Sequence, residues 1–240
     1  MEAEIFDKMY ELDSYHWWFY GQREWLKKFY RTSTGKNKAW LDIGCGVGDI
    51  LRMVKSDFDV FGVDRNPIAL SYTKKRGIPN LVKTDALKLP FKDESFDFVS
   101  LLGVMYHRDI KDDETCLREC IRVSKKGGVL FFSEPVVFLN GAHDIKEHTG
   151  RKYSLKSLKR LISGSGLKIE KITYFNFFAF LPIFLLRKIE ILSRKKEDDL
   201  KRPNAIVNSI MKILVKLESI WIKRFYLPFG SSIICVARKV

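Results

Sequence analysis

The sequence predicts an α/β fold, an open and mostly parallel sheet with helices on both faces. Three observations predict it. Short apolar runs alternate with amphipathic, helix-like segments through the first 175 residues, which is the pattern of strand–helix–strand crossovers. Three glycines at alternate positions, Gly44, Gly46 and Gly48, separate the first such run from a helix-like stretch. Acids close successive runs, Asp64 the second and Asp85 the third, at the strand ends where open α/β sheets bind ligands.

The elements follow in order. AWLDI (39–43), VFGVD (60–64), NLVKT (80–84), FDFVSLL (96–102) and GVLFFSE (128–134) read as strands, with helices over 47–55, 67–76 and 112–123. In 154–163 Leu155, Leu158, Leu161 and Ile162 share one face behind a Ser154 cap, and Gly164 and Gly166 end the helix. LKIEKITYF (167–175) and SSIICVARK (231–239) complete seven strands. Between them, 204–226 places Ile206, Ile210, Ile213, Leu214, Leu217, Ile220 and Trp221 on one stripe, a long amphipathic helix. KKGG at 125–128 and SRKKEDDLKRP at 193–203 read as turns or linkers. The chain thus divides into an N-terminal helical lid segment (1–38), a core (39–175), a basic and apolar helical insertion (176–230) and a last core strand (231–240).

Composition narrows the partners. The net charge is +14. Residues 1–140 hold 22 Lys and Arg against 21 Asp and Glu, and residues 141–240 hold 21 against 8. The excess cation therefore belongs to the last hundred residues and points to phosphate, anionic lipid or nucleic acid, or is a solvated basic face. The four cysteines show neither a CxxC pair nor zinc-site spacing, so reduced thiols in a cytoplasmic protein and no metal are expected. The N-terminus is acidic and amphipathic, unlike a secretory signal. The longest apolar run, FFAFLPIFLL at 177–186, has ten residues and a proline, whereas a membrane span needs about 20.

The glycine turn needs small residues because side chains would keep a ligand from the backbone. A dinucleotide fingerprint would place its third glycine at position 49, where this chain has Asp49. Asp42, two residues before Gly44, would repel a pyrophosphate but could attract a cationic amine. A nucleoside bearing positive charge fits better than a dinucleotide such as NAD. Asp64, 20 residues beyond Gly44, can accept both ribose hydroxyls. Asp85 and Ala86 lie within reach of an adenine's exocyclic amine.

LDIGCGVG, VFGVD, TDALKLPFKDESFDFVSLLGVMYH and RVSKKGGVLFFSEP, in that order and spacing, resemble the class I S-adenosylmethionine-dependent methyltransferases of the type-11 group. The resemblance runs from about Arg23 to Phe175 and implies a Rossmann-like class I methyltransferase fold. It also implies a cofactor, S-adenosylmethionine, leaving as S-adenosylhomocysteine. By it Gly44 and Gly46 face the methionine part, Asp64 the ribose, Asp85 with Ala86 the adenine, and Leu102 lies against the cofactor. Asp42, Cys45 and Arg65 belong to the same cofactor-binding set. Arg23, 19 residues before Asp42, would hold the cofactor carboxylate. DSYHWWFYGQREW looks like the HWWF segment of a subgroup linked with glycan and lipid modification. His16, Trp17, Trp18 and Phe19 would there form a lid over the cofactor, or pack on the sheet.

Methyl transfer needs a base only where the acceptor must lose a proton. His107, beyond the fourth strand, and His143, His148 and Tyr153, beyond the fifth, are the candidates for that role. Tyr106 stands where family members commonly carry an acid, and no N/DPPY-like motif follows the fourth strand. The acceptor expected is a small molecule, a glycan or a lipid-linked compound, methylated at oxygen. The alternatives are an RNA methyltransferase using the basic C-terminal part, and a cofactor-binding or membrane-associated protein without turnover. Region 176–230, with Arg187, Lys188, Arg194, Lys195 and Lys196 after its aromatic run, suits shallow burial at an anionic membrane, a cover for the sheet or a homodimer seam.

Overall fold

The computed structural model describes residues 3–30, 37–136, 152–182, 184 and 201–240. Its strands are β1 (Ala39–Ile43), β2 (Asp59–Asp64), β3 (Asn80–Lys83), β4 (Phe96–Leu102), β5 (Ser124–Pro135), β6 (Leu167–Phe175) and β7 (Ser232–Lys239). They form one sheet in the order β3-β2-β1-β4-β5-β7-β6. All pairings are parallel except those of β7, which runs antiparallel between β5 and β6. The strand order reverses between β1 and β4, and a crevice opens there at the carboxyl ends.

Among the described residues the helices beside the sheet include α1 (Ala3–Leu12), α2 (Trp17–Tyr30), α3 (Asp49–Val54), α4 (Pro67–Lys75), α5 (Asp113–Val123), α6 (Leu155–Gly164) and α7 (Ala205–Trp221). The central strands are buried on both faces, so they read as near-continuous apolar runs. On one face Leu41, Ile43, Leu101, Leu130 and Phe132 pack with Leu117 of α5 and Leu158 of α6. On the other, Trp40 stacks between Phe98 and Phe131, ring centroids 5.1 and 5.4 Å away. Trp25 and Leu26 of α2 and Val215 of α7 cover that layer. The Trp40 indole donates to Ser100 Oγ at 2.8 Å, which satisfies its one polar atom.

Several boundaries differ from the sequence reading. α3 starts at Asp49 because Gly48 holds φ +78°, outside the helical region, and Val47 is buried against Phe6 and Ala69 instead. KKGG lies within β5, where Gly127 takes φ +73° and the register against β4 shifts, so turn residues here mark a bulge. α7 ends at Trp221, with Asn204 accepting from the Ile206 amide at its start. Ser154 caps α6 as the sequence predicts, and Asp112, read as the first residue of its helix, is instead the cap of α5.

The orientation of α7 follows from polar groups. Asn208 accepts from the Trp17 amide and donates to the Tyr15 carbonyl, both at 2.8 Å. Glu218 accepts from the Phe177 amide at 3.0 and 3.1 Å. Burial pushes the Glu218 carboxyl up to about 7, against those backbone donors. These bonds turn Asn208, Val215, Glu218 and Ser219 inward and leave the Ile206–Trp221 stripe facing out. Among the described residues no helix is long and apolar enough to cross a membrane.

Candidate active site

β1 delivers the chain to the crevice, and Gly44 and Cys45 donate to the Val63 carbonyl at 2.8 and 3.0 Å. These bonds staple the turn to β2. Gly44 has φ +68°, and a β-carbon there would run into Val104 Cγ2. At Gly46 (φ +53°) a β-carbon would meet nothing nearer than Met9 Cε at 3.9 Å, so that side of the turn is open to a ligand. Asp64 Oδ2 accepts from the Gly46 amide at 3.0 Å and Oδ1 from the Asn66 amide at 2.8 Å. Burial pushes this carboxyl up, and the backbone donors pull it back. The acid that the sequence assigns to the ribose thus fixes the turn.

Asp85 Oδ1 accepts from the Leu87 amide at 2.9 Å, and Arg65 bridges Asp85 and Asp109 at 3.7 and 3.5 Å. Ala86 is buried, and Leu102 is half-buried at the end of β4. Gly44, Gly46, Asp64, Arg65, Asp85, Ala86 and Leu102 therefore line one sheet edge.

Three residues of the sequence-derived set sit deeper. The Asp42 carboxylate is buried within the sheet and accepts from Ser100 Oγ at 2.5 Å. Burial pushes it up to about 7 against that bond, and Asp64 and Asp49 add to the rise. The Cys45 thiol is buried 4.0 Å from Thr73 Oγ1 and held well above its ordinary range by burial and by Asp42. Arg23 Nη1 lies 2.7 Å from both Asp49 oxygens and 3.0 Å from the Asp13 carbonyl. Arg23 is thereby held at the first turn of α3, just behind the glycines.

That ion pair belongs to a chain of charges. Asp49 also pairs with Arg52 at 3.1 Å, Arg52 with Asp13 at 3.9 Å, and Asp13 with Arg76. Burial, then Asp49, pushes Asp13 up, and Arg76, Arg52 and Arg23 pull it down. Asp13→Ala is expected to destabilise the fold by about 3–5 kcal/mol, because the buried Arg76 cation loses its partner. Urea unfolding measures it.

On the acceptor side, Glu134 lies fully buried at the end of β5. It accepts from the amides of Val104, Met105 and Tyr106 at 3.4, 3.1 and 3.2 Å. Burial pushes its carboxyl up to about 8 against those donors. One side chain thus shapes the loop that carries His107. The His107 ring is half-buried, stacks on Tyr106 at 4.3 Å, and acts electrostatically on Asp64. Tyr153 is buried and its hydroxyl donates to Asp113 at 2.8 Å. His143 and His148 lie outside the described residues, as do Arg187, Lys188, Arg194, Lys195 and Lys196.

In the HWWF segment His16 and Phe19 are buried and Trp18 is exposed. His16 accepts from the Trp18 amide at 3.1 Å and is pushed down to about 4 by burial and Lys212. Sequence reasoning missed Glu134, Ser100 and Gln22, whose Nε2 donates to Ser133 Oγ at 3.4 Å. The available signal was polarity inside otherwise apolar runs: Ser100 in FDFVSLL, and Ser133 and Glu134 closing GVLFFSE. Among the described residues no group of three His, Cys, Asp or Glu side chains is placed to hold a metal ion.

Residues 41–132 match the family model of the type-11 methyltransferase domain. The chain is 34% identical over 122 residues to demethylmenaquinone methyltransferase of Geobacillus kaustophilus, covering 45% of this chain and 51% of that one. It is 34% identical over 123 residues to norajmaline N-methyltransferase of Rauvolfia serpentina, 48% and 39% of the two chains. It is 37% identical over 90 residues to the human probable tRNA methyltransferase 9B, 37% and 19%. The chain thus spans about half the length, or less, of these curated relatives. A solved S-adenosylmethionine-dependent methyltransferase of Thermotoga maritima, a possible histamine N-methyltransferase, superposes with a TM-score of 0.63 at 18% identity, over 99% of this chain and 96% of that one. Phosphoethanolamine N-methyltransferase 2 of Haemonchus contortus, solved with S-adenosyl-L-methionine, gives 0.59 at 20% identity, over 90% and 52%. At such identities the superpositions speak for the fold. The matched model marks a type-11 methyltransferase domain over residues 41–132, and the superpositions show that the fold around it is that of the class I methyltransferases.

Proposed function

We propose that the protein transfers a methyl group from S-adenosylmethionine to a hydroxyl oxygen of a small-molecule, glycan or lipid-linked acceptor. The observation that carries the reading is the glycine turn, open at Gly46 and tied through its amide to Asp64. The range of relatives, from a demethylmenaquinone to a norajmaline methyltransferase, supports a small acceptor. Bound at the turn, the cofactor supplies an activated methyl on a sulfonium. The protein's part is then largely positioning, worth on the order of 7–11 kcal/mol. Asp64 accepts the ribose hydroxyls, and the glycines let the ligand reach the backbone. Glu134 fixes the loop after β4, and His107 on that loop takes the proton that a hydroxyl acceptor must lose.

The test is methyl-labelled S-adenosylmethionine incubated with the protein and cell extract, then partitioned. Label in the organic phase or on saccharide supports the reading. Label in RNA would replace it with the RNA-methylating alternative, which the tRNA methyltransferase 9B match favours. Failure to bind cofactor would remove it altogether. Once an acceptor is in hand, His107→Gln should lower kcat by about 10²–10⁴ and leave cofactor affinity unchanged. An unaltered kcat would assign the proton to another group.

A further inference from the structure

A surface helix normally turns its apolar stripe inward. α7 does the reverse. Ile206 is 71% exposed, Ile213 60% and Trp221 54%. Ile210, Leu217 and Ile220 fill the positions between them and are exposed too. Beyond the helix the apolar surface continues into Phe225 and Tyr226, both exposed. Single exposed apolar side chains are ordinary, but a contiguous stripe marks an interaction surface.

The charges around the stripe name its partner. Lys216 and Lys223 lie at helical spacing along one exposed flank, Arg224 follows, and Lys212, one turn before Lys216, lies over the Tyr15 and Tyr20 rings at 5.5 and 5.8 Å. The only acid between 205 and 226 is Glu218. It is buried, with its carboxylate given to the Phe177 amide. The outward face is therefore apolar along its centre, basic along its side and free of acid. A second copy of the chain would set two such lysine rows against each other, whereas an anionic surface neutralises them.

We propose that α7 seats the protein on an anionic lipid surface, lying in the plane of the interface. At roughly 25 Å the helix is suited to shallow burial of one face rather than to crossing. This surface is separate from the glycine turn and goes beyond the proposed reaction, so either can fail without the other.

The test is cosedimentation of the full chain with vesicles of phosphatidylcholine alone and of equal parts phosphatidylcholine and phosphatidylglycerol. S-Adenosylhomocysteine binding and light scattering are followed in parallel. Binding to the mixed vesicles only is expected. Ile213→Asn with Leu217→Asn should lower it by about tenfold or more, with S-adenosylhomocysteine binding intact. Lys216→Ala with Lys223→Ala should lower it by roughly 25-fold, since each cation near an anionic surface is worth roughly fivefold. Equal binding to both vesicles, no binding to either, or indifference to both pairs of substitutions would overturn the proposal. So would a dimer that the Ile213 and Leu217 substitutions split, which would make the stripe a seam between two copies.

Discussion

Asp64→Ala is expected to remove S-adenosylmethionine binding from this protein while leaving a folded chain. Two charge-assisted hydrogen bonds to the ribose hydroxyls are lost, each worth about 1.5–3 kcal/mol. Kd should rise by roughly 10²–10⁴. The same carboxylate caps the Gly46 and Asn66 amides, so the turn itself loosens and adds to the loss. Asp64→Asn should also bind poorly. Its amide nitrogen must face one of two backbone donors, so it cannot reproduce both contacts. Calorimetric titration with S-adenosylmethionine and S-adenosylhomocysteine measures the effect, and thermal unfolding confirms the fold. A Kd within a few-fold of wild type in both variants would place the nucleoside elsewhere.

Glu134→Ala is expected to be among the most destabilising single changes in the chain. It leaves the amides of Val104, Met105 and Tyr106 without their shared acceptor in the interior. Each unsatisfied buried donor costs about 1–3 kcal/mol, so a loss of roughly 3 kcal/mol or more should appear in denaturant unfolding.

Glu134→Gln removes the ionisation and keeps one acceptor oxygen, at the cost of turning its amide nitrogen toward one set of the backbone donors. Wild-type Glu134 has a folded pKa near 8 against an ordinary 4.5. Between those values the folded chain holds a proton that the unfolded chain has released. The stability this confers is complete below about pH 4.5 and is lost as pH rises through 8. Asp42 and Glu218, both pushed to about 7 by burial, act with the same sign. Stability of the wild type should therefore fall from mildly acidic to mildly alkaline pH. Each group contributes up to about 1.4 kcal/mol per pH unit. Glu134→Gln should flatten the alkaline part of that profile, and an unchanged slope would assign it to other groups.

The parts of the fold set by local pattern were legible in the sequence. Trp40 and its neighbours gave β1, and Ser154 gave the cap of α6, because a strand face or a helix end is decided within a few residues. The ligand edge followed from the same logic, since Gly44, Asp64 and Asp85 take their places from strand ends. What could not be read were contacts between residues distant in sequence. Nothing local to Asp42 says that Ser100 donates to it, or that Arg23 lies between Asp49 and the Asp13 carbonyl. The facing of α7 was hidden for a related reason. Its apolar stripe is correctly periodic, but Asn208 and Glu218 are called inward by backbone groups at Tyr15, Trp17 and Phe177. A hydrophobic pattern alone cannot foresee that.

The place of β7 has a consequence for how the molecule is made. Among the described residues β6 pairs only with β7, and β7 lies between β5 and β6 although it follows both in the chain. During synthesis β1 to β5 can assemble as they emerge, while β6 must wait through the whole of 176–231 with both edges unpaired. Open strand edges are templates for wrong pairing, and chains of this size pass through intermediates that expose them. Ser232–Lys239 is thus the keystone of the sheet: a nascent chain halted before it carries a nearly finished domain with the backbone of β5 and β6 exposed to its neighbours.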